Sequence, residues 1–299
     1  LDRAGVHSGD SVTIYPTIHV SDKIKETLYD YTRKIALELD VRGMINIQFI
    51  VFKDELYVIE VNPRSSRTVP YITKITNVPI LEMAVRSMFG PCIKEMGYGS
   101  YIYKDSENYG IKVPVFSTEK LPNVEVSLGP EMRSTGEVLG VSKNYLEALY
   151  KGFLAAGFDL SRRKRKLLIS LNDESKEELI ESLKKMSDIG YEFFATGNTK
   201  KFMEENGVKN VTEVYKIGCE GENKELGILD VIKNHKIDLI INTPQSSSDS
   251  ETDGFKIRRC AVECGVSIVT SIDSAIALAT LFCEDLDYDK FDITDVANY

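Results

Sequence analysis

Gln48, Glu60 and Asn62 are the residues whose types and spacing first point to chemistry. They lie between Asn46 and Arg67, where two runs rich in Ile, Val, Phe and Tyr flank the charged segment Lys53-Asp54-Glu55. That pattern predicts a β-hairpin. With Phe52 and Leu56 as the last pair before a three-residue loop, Gln48 falls directly across from Glu60, and strand alternation puts Asn62 on the same face. The other face carries Ile47, Phe49, Ile59 and Val61. One carboxylate and two amide oxygens in a cluster suit a hard cation such as Mg²⁺, with phosphate oxygens completing its shell. Beyond the strand, Arg64 and Arg67 carry guanidinium forks of the kind that grip phosphate or carboxylate. Together these residues read as a phosphoryl-transfer site. A polar strand face can equally be the solvated side of a sheet, but a plain edge needs neither Pro63 nor paired arginines.

The 299 residues that must position this cluster are enough for two domains. A net charge of −9 argues against nucleic acid as a partner. No apolar run approaches the ~18 residues of a membrane span, and the start carries no secretory signal. The chain opens at Leu1 without a methionine and reads as a piece of something longer. Cys92, Cys219, Cys260, Cys264 and Cys283 form no CxxC pair, and the three histidines are scattered. Cys260 and Cys264 share a predicted helix face, a weak zinc signal. Buried free thiols in a reducing cytoplasm are the better expectation.

In chain order, Gly5 to Ser11 is a glycine-punctuated loop leading into a short strand, Val12 to Tyr15. Its composition suits a nucleotide cradle or a plain turn, and His7 reads as a hydrogen-bonding loop residue rather than a base. Ser21 or Asp22 caps a helix whose Ile24, Leu28, Tyr31, Ile35 and Leu39 face the core. After Arg67 the stretch Val69 to Thr76 is mixed. A helix at Ile80–Met88 lies between Pro79 and Gly90-Pro91. Residues 97–110 read as a loop and Ile111–Phe116 as a strand, while Gly129–Val138 is too polar for a buried strand. A helix from Asn144 to Ala156 ends at Gly157. The basic run from Arg162 to Lys166 reads as a solvated linker in an acidic protein, dividing residues 1–160 from 161–299.

The second domain alternates strands at 167–170, 191–196, 211–215, 237–242 and 266–270 with helices at 175–189, 199–206, 226–234, 255–264 and 272–283. This predicts an α/β, doubly wound parallel sheet covered on both faces. Ligands in such sheets sit beyond the strands' carboxyl ends, where this chain places Thr196-Gly197-Asn198-Thr199, Asn242-Thr243-Pro244 and Thr270-Ser271. Helix amides near Thr199, with Lys176 and Lys216, favour an anion. Thr, Asn and Gly serve equally well as caps and turns there. The serine-rich tract after Pro244 reads as a flap or as a plain polar loop.

Gln48 followed by Glu60-Val61-Asn62-Pro63-Arg64-Ser65-Ser66-Arg67 resembles the C-terminal part of an ATP-grasp fold, and more narrowly the large subunit of carbamoyl-phosphate synthases. Ala4-Gly5-Val6-His7-Ser8-Gly9-Asp10-Ser11 and the stretch from Gly129 to Val138 agree, in collinear order. The resemblance implies an α+β ATP-grasp half followed by a methylglyoxal-synthase-like allosteric domain. It implies a ligase that phosphorylates carbamate with ATP, glutamine-dependent through an amidotransferase small subunit, in pyrimidine and arginine biosynthesis. Gln48, Glu60 and Asn62 would hold Mg²⁺ or Mn²⁺. Gly5, Val6, His7, Ser8, Gln48 and Glu60 would contact nucleotide, and Arg64 and Arg67 would neutralise charge during transfer. Lys176, Thr196, Thr199, Lys216, Asn242 and Thr243 would bind an effector such as UMP, IMP or phosphoribosyl pyrophosphate. Asp10 keeps a family position for ornithine, whereas Val113 departs from it. Pro244 replaces a threonine of some relatives, and the serine tract lacks the acid–base loop of methylglyoxal synthases. The resemblance places the protein in the cytoplasm, as a possible homo-oligomer. The chain alone is expected to show no synthase turnover. A nucleotide-binding regulatory module without catalysis is the alternative.

Overall fold

A computed structural model describes residues 1–99, 101–117, 125–160, 166–219, 226–243, 252–284, 286, 290–291 and 293. Residues 161–165, which hold all of the basic run but Lys166, and the tract at 244–251 lie outside the described residues. Two units separate by internal contacts. One comprises Leu1–Thr13, Val113–Gly140 and Leu149–Phe291, and the other chiefly Ile14–Lys112 and Val141–Ala148.

The first unit is built on a five-stranded sheet: β6 (Lys166–Ser170), β7 (Glu192–Thr196), β8 (Val211–Val214), β9 (Leu239–Asn242) and β10 (Ser267–Val269). Its order is β10-β9-β6-β7-β8, every pair parallel. Leu167, Leu168, Ile169, Phe193, Ile240 and Ile241 are all 1% exposed or less. Consecutive burial of this kind requires cover on both faces, as the uninterrupted apolar runs predict. The helices α5 (Asp173–Asp188), α6 (Gly197–Glu205), α7 (Ile228–Lys233), α8 (Asp253–Glu263) and α9 (Ile272–Cys283) provide it. In α5, Leu179, Leu183 and Met186 recur at helical spacing and are buried. Each such side chain is worth about 1.5–3 kcal/mol on burial. The sheet alternates as the residue pattern predicts, with ends shifted by one or two residues. The α/β expectation holds.

In the second unit, β2 (Asn46–Phe52) and β3 (Glu55–Asn62) form the expected antiparallel hairpin, but the turn differs. Phe52 pairs with Glu55, leaving only Lys53 and Asp54 in the loop, both left-handed with φ of 50° and 60°. Two such residues match the strands' twist. A bulge at Gln48/Phe49 then adds the residue the shorter turn removes, so Phe49 faces Val58 and Gln48 still faces Glu60. The face opposite Glu60 is not a buried one, since Ile59 is 54% exposed.

The helix α1 (Asp22–Glu38) is capped by Ser21, whose hydroxyl accepts from the Ile24 amide. Its expected core face is not realised: among its apolar positions only Ile24 is buried, and Leu39, at the C-cap, is exposed. Helical spacing establishes a stripe, whereas burial depends on a partner surface. The mixed stretch forms α2 (Thr68–Thr76), with Val69, Tyr71 and Ile75 buried. Tyr71 donates its hydroxyl to the Gly110 carbonyl at 2.8 Å, and a Cβ on Gly110 would lie 2.3 Å from Ile75. That close approach requires glycine. α3 spans Ile80–Phe89 as expected.

A three-stranded sheet runs β1-β4-β5, from β1 (Thr13–Tyr15), β4 (Tyr109–Val115) and β5 (Gly136–Ser142). The stretch read as too polar for a buried strand enters β5 only at Gly136–Val138, where the strand is not buried. The helix α4 (Tyr145–Ala155) precedes Gly157, whose φ of 93° suits a glycine stop. Of the cysteines only Cys260 is buried, its thiol pushed up to about 12 by that burial. Cys92 and Cys219 are exposed, which corrects the expectation of buried thiols throughout.

Candidate functional site

The strand order reverses between β6 and β9, since β7 and β8 extend the sheet one way and β9 and β10 the other. A crevice opens beyond the strand ends at such a switch point. Here it is a cavity of about 590 Å³, within the range that holds small ligands. Ser170 and Asn242, the last residues of β6 and β9, pair across its floor.

The helices α5, α6 and α8 start at this rim. Asn172 caps α5, its side chain accepting from the Ser175 amide at 2.8 Å. Thr252 caps α8 through the Phe255 amide. Thr196 occupies the N-cap of α6 without a side-chain cap bond, which leaves its hydroxyl for other work. Converging helix N-termini favour negative charge. Lys176, Thr196, Thr199, Lys216, Asn242 and Thr243 all line the cavity. The Lys176 ammonium lies 2.7 Å from the Asp173 carboxylate, holding that acid below its usual range. Lys216 is exposed at the rim and makes no ion pair among the described residues.

Not every lining group is available to a ligand. The Asn242 amide donates to the Ser170 hydroxyl at 3.0 Å, and its oxygen accepts from Arg258 Nη1 at 2.7 Å. The Thr243 hydroxyl accepts from the Asn172 amide. Arg258, 4% exposed, also grips Glu125 at 2.7 and 2.6 Å. Gly254 makes room for it, since a Cβ there would lie 2.9 Å from Nη1. Arg258 and Ser170 were not legible as site residues. The one available hint was an arginine pair beside Ile257 and Ala261 on a helix with a buried face.

Burial pushes the Glu125 carboxyl up, but the Arg258 fork and the Ser127 and Val126 amides outweigh it and hold the acid below its usual range. Its contribution to stability is therefore fully present above the unfolded value of about 4.3. It is lost as pH falls through the lower folded value. Acid titration of unfolding should show a steeper loss for the unaltered chain than for Glu125→Gln, and parallel profiles would refute this.

In the other unit, Glu60 Oε1 accepts from Gln48 Nε2 at 2.6 Å and Asn62 Nδ2 at 2.8 Å. The three side chains form one cluster on the hairpin face. Turning both amides about their last torsions presents oxygen instead of nitrogen, which makes one carboxylate and two carbonyls, a donor set that fits Mg²⁺ or Mn²⁺. Arg64 donates to the Ser65 carbonyl at 2.9 Å, and both Arg64 and Arg67 are exposed. Gly5, Val6, His7 and Ser8 belong to the first unit. There His7 Nδ1 accepts from the Gly9 amide at 3.0 Å, and the His7 amide donates to the Gly129 carbonyl at 2.8 Å. His7 thus ties its loop together.

Residues 2–96 match the family model described as carbamoyl-phosphate synthase L chain, ATP binding domain, and residues 178–270 match the MGS-like domain. The carbamoyl phosphate synthase large chain of Clostridium beijerinckii is 52% identical over 98% of this chain and 26% of its own length. That of Clostridium perfringens strain 13 is 53% identical over 94% and 26%. A methylglyoxal synthase structure from Elizabethkingia anophelis NUHP1 is 23% identical over 44% of this chain and 94% of its own, with a TM-score of 0.31, too low to support the fold by itself. An ATP-binding segment joined to an MGS-like domain is therefore the class of protein in hand. Over the stretch it spans, the chain is similar to carbamoyl phosphate synthase large chains. It spans about a quarter of the length of the curated relatives it matches.

Proposed function

We propose that this chain contributes to ATP-dependent phosphorylation of carbamate and carries a nucleotide-effector pocket that regulates it. The observation that carries the regulatory half is the cavity at the β6/β9 switch point, where helix N-termini meet Lys176, Lys216, Thr196 and Thr199. Such a site suits the phosphate of a nucleoside monophosphate, with UMP, IMP or phosphoribosyl pyrophosphate as candidates. Asn242 and Thr243 then shape the pocket, both having hydrogen-bond partners within the protein.

The catalytic half rests on the Gln48, Glu60 and Asn62 cluster and on the likeness to carbamoyl phosphate synthase large chains. These three residues would hold Mg²⁺ or Mn²⁺, whose charge offsets that of phosphate oxygens when bound. Gly5, Val6, His7 and Ser8 would contact the nucleotide, as would Gln48 and Glu60. Arg64 and Arg67, exposed next to the hairpin, would neutralise charge building on the transferred group. In such transfers positioning and electrostatics do most of the work. The functional division is proposed at residues 160/161. A glutamine amidotransferase subunit is the proposed partner, and pyrimidine and arginine biosynthesis in the cytoplasm the proposed setting. Among the described residues no helix is long and apolar enough to cross a membrane. A second reading, a nucleotide-binding module without catalysis, is favoured by one observation: the cavity is lined wholly by residues between Ser170 and Arg258.

Calorimetric titration with UMP, with IMP and Mg-ATP as comparisons, tests the pocket. Lys216→Ala should weaken nucleotide binding about tenfold, the value of one charge-assisted hydrogen bond. No binding by any nucleotide, or equal binding by the variant, would sink it.

A further inference from the structure

From the hydrogen-bond chain that leaves the cavity wall, we infer that the Arg258–Glu125 ion pair is the positioning element that couples pocket occupancy to the Gly129–Thr135 loop and the Asp10 turn. This inference rests on the proposed anion pocket.

Arg258 projects from α8 into the cavity wall, with Nη1 on Asn242 at 2.7 Å. Its Nε and Nη2 take both oxygens of Glu125, a bidentate grip on a residue 133 positions earlier. From Glu125 the chain of contacts continues. Its side chain accepts from the Ser127 amide at 2.8 Å. Its carbonyl and that of Ser127 accept from Arg133 Nη1 at 2.9 and 2.8 Å. The Arg133 and Ser134 amides donate to the two oxygens of Asp10, at 2.8 and 2.9 Å. Asp10 is completely buried, and its own amide donates to the His7 carbonyl at 2.8 Å. Every step from the cavity wall to the Asp10 turn is a hydrogen bond, and four of the side chains are charged.

Arg258 is suited to pass on occupancy because it has more donors than partners. A guanidinium offers five N–H groups. Glu125 takes two and Asn242 one, so Nη1 and Nη2 each keep a hydrogen without a partner among the described residues, on a side chain that lines the cavity. An anion seated there competes with Glu125 for one positive charge. By linkage, whatever loosens Glu125 must tighten the anion, and the reverse.

The sign separates this role from a merely structural one. Glu125→Gln removes the competing charge, so inorganic phosphate and UMP should each bind about fivefold tighter or more. In the unaltered chain, UMP should also lower hydrogen-exchange protection at the Ser127, Arg133 and Ser134 amides, and the variant should lose this response. Folded Glu125→Gln that binds phosphate equally or more weakly overturns the coupling. If that variant does not fold, Arg258→Lys serves, because an ammonium keeps the charge but cannot hold Asn242 and Glu125 as a fork. It should bind UMP without the exchange response, and an intact response overturns the inference. Failure of the unaltered chain to bind phosphate or UMP is a distinct result, seen by calorimetry first. It overturns the pocket itself and the coupling with it.

Discussion

Asn242→Ala is expected to lower folding stability by about 2–4 kcal/mol, the sum of a bond to a charged donor and one to a neutral hydroxyl. Asn242 ends β9 and is 2% exposed, and its side chain joins β6 through Ser170 and α8 through Arg258. Alanine leaves a buried guanidinium nitrogen facing no acceptor, and the desolvation cost of the orphaned group exceeds the value of the bond itself. Water can enter from the cavity side, which limits the loss to this range. In urea the midpoint should fall with the slope unchanged. Asn242→Asp, which keeps an acceptor on Arg258, should recover part of the loss. An unmoved midpoint for alanine would show that Arg258 does not depend on this acceptor, and the cavity floor would need another account.

Asp10→Ala should cost a similar amount, about 2–5 kcal/mol, for a different reason. Asp10 is read from sequence as a family position for a small-molecule activator. In the structure its two oxygens already serve the Arg133 and Ser134 amides. Removing the carboxylate strips two backbone donors of their acceptor in a place with no exposure of Asp10 to solvent. Each orphaned amide costs about 1–3 kcal/mol. Asp10→Asn should fall between, since its amide can accept from one donor only by presenting a donor to the other. Native-state hydrogen exchange at Arg133 and Ser134 reads the effect directly, and both amides should lose protection in the alanine variant. A loss of stability below about 1 kcal/mol would mean that these amides find other acceptors, and the turn would be held by the His7 and Gly129 contacts instead.

The hairpin shows how a correct pairing can come from an incorrect turn. Opposition of Gln48 and Glu60 follows from a three-residue loop, yet the chain closes on Lys53 and Asp54 and recovers the register through a bulge. Strand alternation is a local property and survives either route. The choice between them depends on the left-handed conformations that Lys53 and Asp54 accept, and their residue types do not announce those conformations.

The first helix illustrates the opposite case. Its cap is local chemistry and was legible as Ser21 or Asp22, and the structure selects Ser21, whose hydroxyl accepts from the Ile24 amide. Its burial was not, because a stripe of Leu28, Tyr31, Ile35 and Leu39 says only which side is apolar.

Residue order alone determines the strand and helix succession of the five-stranded unit, the helix caps at its rim and the polar cluster on the hairpin face. These follow from periodicities of two and about 3.6 and from side chains within a few positions of one another. Which capped helix ends meet at one cavity follows from the strand order, with β6 between β7 and β9. Only tertiary structure decides that Arg258 finds Glu125, or that Arg133 and Ser134 find Asp10 across more than 120 positions. No local pattern encodes those pairs. A buried charge must have a partner, but the fold chooses which one.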